Sequence, residues 1–387
     1  MFIILDLLLP LGGLLFLLPL NPLLSSVTAS AWVMAQLVVA PIQKRWALWP
    51  IAFLILTTAR TWWLYEMPHP AASQDILLIV ASFMATCGIK KNRLEMLLKA
   101  NLGALPIIWI AGINQNMMQG IMLRAPWVPN FMVGKNQCAY VIGILLIISI
   151  CWIWSSKDNK KAQTLSGLMT AVAMAMLWQI QSRAALLAGF LGLAIVYLMQ
   201  QAKKEKLKKS IGICVALAAA VIFSIRIMRP NSVITPLGFD FHSDLGRLQV
   251  QECFVNLPLT GNNRFIYGVG FERGEIFCKQ EVISGVLDHA HNLYIQLWAN
   301  AGILGIGGLL LCLIMILSKW NQVYKKDSSS FLTMVGIAGT AYTLIQGLFD
   351  ASIIYWPLLQ VLTGVLLAIP FCAADHSNNS FSKPDWG

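Results

Sequence analysis

Apolar runs of about twenty residues recur along this chain, each long enough to cross a ~30 Å hydrocarbon core as a helix. Hydrophobic residues make up 57% of the sequence and charged residues only 12%, about half the charged share of an ordinary soluble domain. Transmembrane barrels would show ~10-residue segments of alternating polarity, and the sequence has none. The reading is an all-α integral membrane protein with about twelve transmembrane helices. The spans fall near 2–20, 23–41, 47–65, 73–89, 96–113, 137–155, 163–180, 184–200, 211–227, 292–317, 329–349 and 351–372. The first run has no basic flank and no small-residue cleavage site, so it reads as a retained helix rather than a signal peptide.

A net charge of +11 would suit nucleic acid, but its placement rejects that partner. Lys44 and Arg45, Lys90, Lys91 and Arg93, Lys157, Lys160 and Lys161, the lysines of 203–209, and Lys319, Lys325 and Lys326 fall in alternate connections. The connections between them hold only Arg60, Arg124 with Lys135, and Arg183. This positive-inside asymmetry puts both termini in the cytoplasm. The lysines of 203–209 read first as a topology signal, with anionic lipid headgroups as a second role. Residues 1–227 then hold helices one to nine, 228–291 form one large outward loop or cap, 292–372 hold helices ten to twelve, and 373–387 form a cytoplasmic tail.

The cap mixes acidic residues such as Asp244, Glu252 and Asp288 with Arg229, Arg247 and Arg264, as a small folded element would. Ser243–Val255 reads as a helix stopped before Pro258. Cys253 and Cys278 share this loop, and an oxidising compartment leaves a disulfide between them open. The other six cysteines lie in or at apolar helices, where cysteine acts as a small hydrophobe.

Several chemistries are missing. The sequence has no phosphate loop ending in Gly-Lys-Ser/Thr, no Gly-x-Ser-x-Gly elbow and no His-Glu-x-x-His helix. No aspartates stand one residue apart to hold a metal through substrate phosphates. His289-x-His291 offers two metal ligands, but no Asp, Glu or Cys cluster nearby completes a shell, so no metal and no cofactor is expected. The energy of any reaction must already reside in the substrate.

What remains gathers at the outer boundary. Arg183 sits in a very short turn between the seventh and eighth spans. A charge at membrane depth costs about 2.5–3.5 kcal/mol and marks a functional site by default, against the alternative of an arginine snorkelling to headgroups. Its guanidinium fork suits phosphate oxygens. Arg247 lies in the cap, where a loop arginine is ordinarily just solvated. His291 stands at the start of the tenth span, beside His289 and Asn292. The competing reading there is a helix cap or interfacial residue. A helix N-terminus disfavours imidazolium, and a neutral imidazole is what a general base needs near pH 7.

Three stretches together are similar to the O-antigen ligase and polymerase superfamily of bacterial envelope glycosyltransferases. They are Gln181-Ser-Arg183-Ala-Ala-Leu-Leu; Leu245-Gly-Arg247-Leu with Asn256-Leu-Pro258 and Gly268-Val-Gly270; and His289-Ala-His291-Asn292-Leu-Tyr294 leading to Gly302-Ile-Leu-Gly305. Leu348-Phe-Asp350 is a weaker match. The resemblance covers about 135–370, and the first four spans match only as hydrophobic helices. It implies a multi-pass enzyme of the bacterial inner membrane with its active site facing the periplasm. It also implies transfer of a glycan from undecaprenyl pyrophosphate to a lipid A-core acceptor or a growing glycan. Arg183 and Arg247 match the family's pyrophosphate-binding arginines and His291 its catalytic histidine, with His289, Asn292 and Asp350 as auxiliary candidates.

Polymerases of the superfamily often carry an arginine followed sixteen residues later by glycine. Sixteen beyond Arg247 is Asn263, and sixteen beyond Arg229 is Leu245, so the ligase reading is favoured and polymerase is the alternative. A lipid-glycan transporter also suits twelve spans. Transporters, however, show internal repeats and polar residues at mid-membrane, and this chain shows neither.

Overall fold

The computed structural model describes residues 22–39, 74–118, 135–202, 210–212, 214–215, 241–261, 263–270, 274, 277–278 and 289–375. The spans expected near 2–20 and 47–65, most of 211–227, the lysine cluster of 203–209 and the tail beyond 375 lie outside those residues.

The described residues are helical, with no strand among them. In chain order the elements are α1 (Pro22–Val39), α2 (Gln74–Cys87), α3 (Lys91–Asn101), α4 (Ala104–Met118), α5 (Lys135–Ser155), α6 (Lys160–Ile180) and α7 (Arg183–Ala202). Then come α8 (Phe241–Asn256), a single 3₁₀ turn (Leu257–Leu259), α9 (Arg264–Tyr267), α10 (Leu293–Lys326), α11 (Phe331–Gly347), α12 (Ser352–Tyr355) and α13 (Pro357–Asp375). Among the described residues, four helical stretches are long and apolar enough to cross a membrane: Lys91–Ile113, Asn136–Ser155, Arg183–Ala202 and Leu293–Lys326. Shorter apolar helices precede and follow them in the chain: Leu23–Val38, Ile76–Cys87, Phe331–Gly347 and Pro357–Cys372.

The span expected at 96–113 is interrupted. A turn at Leu102 and Gly103 separates α3, whose Lys91, Asn92, Arg93 and Glu95 make it polar, from apolar α4. Hydropathy averaged over both hides the turn. The expected tenth span instead continues to Lys326, giving 34 residues. It is not one straight rod, because a break at Gly302 divides it into two helical segments.

α11 is the hub. Every residue from Phe331 to Thr343 is buried, because α5, α7, α10 and α13 all pack on it. Small residues permit the close approach. A side chain at Gly339 would meet Leu366 at 2.8 Å, and one at Gly192 would meet the Ala338 carbonyl at 2.7 Å. Hydroxyls in this apolar interior bond to each other or to backbone: Tyr140 Oη reaches Thr343 at 2.8 Å and Thr363 at 3.1 Å.

The cap segment builds a small core of its own. Val250, Phe254, Leu257, Val269, Cys278, Ala290 and Ala299 are buried together, and Cys253 is disulfide-bonded to Cys278. The helix expected at Ser243–Val255 is present as α8 and does end before Pro258.

Cap and bundle interlock at two glycines. Inside α10, Gly302 has φ 61°, ψ −153°, which breaks the helix. There the cap backbone enters. Val269 N–H donates to the Ala299 carbonyl at 2.7 Å and Gly270 N–H to the Asn300 carbonyl at 2.9 Å, replacing partners lost at the break. A side chain on Gly302 would strike Gly268 N and the Ile266 carbonyl at 2.6 Å. Gly268 (φ 70°) is similarly pressed against Asn300 and Ala301. The sequence pattern Gly268-Val-Gly270 and the glycine of Gly302-Ile-Leu-Gly305 are therefore two halves of one joint.

Candidate functional site

The first turn of α10 meets the last turn of α11, and the polar residues of the site lie there. Asn292 caps α10: its Oδ1 accepts from Tyr294 N–H at 2.9 Å and Ile295 N–H at 3.1 Å. Its Nδ2 donates to the Leu348 carbonyl at 3.0 Å, tying the start of α10 to the end of α11. Tyr294 Oη donates to the Leu344 carbonyl at 2.7 Å in the same seam. Helix capping, the competing explanation for the histidine, thus falls to Asn292.

One residue earlier, His291 adopts a left-handed backbone, φ 49°. Histidine visits that region more often than most residues, yet it is uncommon and costs of order 1–3 kcal/mol unless the surroundings impose it. Here they do. Ala290 N–H donates to Gln296 Oε1 at 2.8 Å, and Gln296 in turn reaches Asn300 at 3.3 Å, so the loop is held from within α10.

The held loop brings two imidazoles to Asp350. His289 Nε2 lies 3.4 Å from Asp350 Oδ1 and His291 Nδ1 lies 3.8 Å from the same oxygen. The rings are 4.0 Å apart between centroids. Leu348 and Phe349 are exposed while Asp350 turns inward, its side chain only 3% accessible. Neither ring nitrogen of His291 has a hydrogen-bond partner, and both are buried. Buried polar atoms are paired in the great majority of cases, so this pair invites a functional explanation.

The His291 imidazole is pushed below its ordinary value of 6.5. Burial is the main cause; the charges of His289 and Arg247 act in the same direction, and Asp350 opposes them. The neutral form is favoured, as the position at a helix start suggested, but desolvation outweighs the other causes. This also places Arg247, on α8, within electrostatic reach of His291.

Arg183 begins α7 directly after a tight turn. Gln181 ends α6 in a left-handed conformation (φ 55°, ψ 43°), and Ser182 Oγ accepts from Ala185 N–H at 3.4 Å. α7 runs antiparallel to α11: Gln200 bonds Met334 at 2.9 Å, Gly192 abuts Ala338, and Gly189 faces Tyr342. Extending that register by six residues sets Arg183 at the level of Leu348, the end of α11 that carries Asp350. Four of the expected site residues therefore meet at this end of the bundle: His289, His291 and Asp350 are brought into direct proximity and Asn292 is their scaffold. The register of α7 against α11 puts Arg183 near the same level.

Sequence reasoning named Asp350 as an auxiliary candidate but not its pairing with the histidines, and it missed Gln296. Asp350 supplies the carboxylate that His289-x-His291 lacked nearby, from 59 residues further along the chain. Gln296 was not singled out, although a fully buried glutamine in an apolar helix was a readable signal. Near the site lies an apolar cavity. It is lined by residues of α2, α10 and α13, among them Ile76, Phe83, Leu297, Leu367 and Leu293, the residue after Asn292.

Residues 167–310 match a family model described as O-antigen ligase. Over that stretch the chain is similar to the O-antigen ligase superfamily. The O-antigen ligase match contains Arg183, Arg247, His289, His291 and Asn292 and stops short of Asp350, whose place beside the histidines comes from the fold. That similarity points to a membrane glycosyltransferase of ligase or polymerase type. No curated protein matches the chain.

Proposed function

We propose that this chain is an O-antigen ligase of the bacterial inner membrane. On this reading it takes a polysaccharide from undecaprenyl pyrophosphate and joins it to a lipid A-core acceptor on the periplasmic face. The observation that carries the reading is the pair of buried His291 nitrogens without a hydrogen-bond partner beside Asp350, with an apolar cavity lined by the nearby Leu293. A lipid-linked donor needs that arrangement: a slot for its hydrocarbon tail and chemistry at the headgroup level.

The reaction runs as one displacement. The acceptor hydroxyl loses its proton to His291 as its oxygen attacks the anomeric carbon. The bond from that carbon to the pyrophosphate oxygen breaks, and undecaprenyl pyrophosphate leaves with the electron pair. Arg183 and Arg247 stabilise the charge building on the departing phosphates, help that is strongest in a site screened from water. Asp350 lies close enough to both imidazoles to hold them and to stabilise the imidazolium that forms. Inversion at the anomeric carbon follows from a single displacement. The leaving group is already activated, so ATP is not required. Positive-inside charge sets both termini in the cytoplasm and the site outside.

The test is a lipopolysaccharide gel of a ligase-deficient derivative of the native host, complemented with this chain or with His291→Ala at matched membrane levels. The parent should restore the long-chain ladder and the variant should not. A ladder restored by both would remove His291 from the chemistry. No ladder from either, with single lipid-linked repeats accumulating when the gene is deleted, would favour the polymerase reading.

A further inference from the structure

The cluster that supplies a base also has the composition of a metal site. His289, His291 and Asp350 each present one ligand atom, and the three atoms lie within 4.8 Å of one another. Donors about 2.0–2.2 Å from a tetrahedral ion stand about 3.4 Å apart. The His289 Nε2–Asp350 Oδ1 separation is 3.4 Å, and the His291 Nδ1–Asp350 Oδ1 separation, at 3.8 Å, needs only a small closure. The carboxylate is almost fully buried and His291 Nδ1 has no hydrogen-bond partner, so a cation would take up a lone pair the protein leaves unused. The loop that carries both imidazoles is held in a left-handed turn by Gln296, and their nitrogens, within 4.8 Å of each other, draw together as an ion binds.

We infer that His289, His291 and Asp350 bind one borderline divalent transition-metal ion, of the zinc or cobalt type, and that this ion blocks transfer. Two nitrogens and one oxygen select such ions over magnesium or calcium, which prefer oxygen ligands and higher coordination. Three protein ligands leave one position for water. The blocking half rests on the glycosyl-transfer reading above: a His291 lone pair given to a metal cannot take the acceptor's proton. The metal and the reaction therefore exclude each other at one imidazole.

The experiment uses the full-length protein in detergent, stripped with EDTA and titrated with Co²⁺. The expected result is a saturable visible absorption band of tetrahedral type at one ion per chain, with no competition from Mg²⁺. In His289→Gln and Asp350→Asn, Co²⁺ affinity should fall by at least about tenfold. Thermal unfolding of the metal-free variants checks that they remain folded, and a Co²⁺-induced rise in midpoint seen in the parent and lost in both repeats the test without absorbance. Glycan transfer by the parent should stop with Co²⁺ and return with EDTA. Failure to saturate, or a band unchanged in both variants, overturns the site. If Co²⁺ binds as expected and leaves transfer untouched while His291→Ala is inactive, the exclusion is overturned. If Co²⁺ binds and both Co²⁺ and His291→Ala leave transfer intact, the ion site stands and the role of His291 as base falls.

Discussion

The two ends of α11 carry opposite chemistry. At Phe331 the helix starts with Ser330 as an ordinary cap: its Oγ accepts from Thr333 N–H at 3.2 Å and bonds the Thr333 hydroxyl at 2.7 Å. At the other end, beyond Gly347, a buried carboxylate meets two imidazoles, His291 holds a positive φ, and the Gln346 Oε1 and both His291 nitrogens have no partner. The first end spends its polar groups on the fold. The second retains polar atoms and backbone strain that the fold does not use, and such places are where function collects.

That contrast predicts which substitutions separate activity from stability. His291→Ala should cost ~10²–10⁴ in transfer rate, the usual share of a general base, while the unfolding midpoint of the purified protein stays at the parent's value. A fall in midpoint matching the fall in rate would make the outer end structural too. Arg247→Gln should lower the rate by ~10²–10³, the cost of losing one stabiliser of developing charge. Its signature is a loss shared by every acceptor tried, since the pyrophosphate is common to all.

Substitutions in the joint should do the reverse. Cys253→Ser opens a loop whose ends lie 25 residues apart, and a closed loop of that size is worth about 3 kcal/mol in the chain-entropy account. Its unfolding midpoint should drop, and reductant should drop the parent's to the same value. Gly302→Ala forces a side chain into the cap backbone at φ 61°, a strain of about 1–3 kcal/mol before the clash is relieved. Asn292→Ala, the mildest, removes a cap worth about 1 kcal/mol and should leave measurable transfer, because Asn292 positions the site and does not do its chemistry.

Much of this was legible in advance. Apolar runs gave α5, α7 and α11 nearly to the residue, because a lipid-spanning helix must be apolar along its whole length. The same averaging concealed the turn at Leu102–Gly103 and the break at Gly302, since a glycine in an apolar run lowers hydropathy very little. The break becomes intelligible only with its partner, Gly268, 34 residues earlier. The site was half legible for a similar reason. His289, His291 and Asn292 are neighbours in sequence, and their polarity stood out against an apolar background. Asp350 joins them because the Asn292–Leu348 hydrogen bond ties the start of α10 to the end of α11, a pairing that no local pattern encodes.

The most direct measurement is transfer by the purified protein in liposomes, given undecaprenyl-pyrophosphate-linked glycan and a lipid A-core acceptor. We expect one glycosylated acceptor for each undecaprenyl pyrophosphate released, with the anomeric centre inverted, and neither product from His291→Ala. Glycan crossing the bilayer still attached to its lipid, with no new glycosidic bond, would contradict the account.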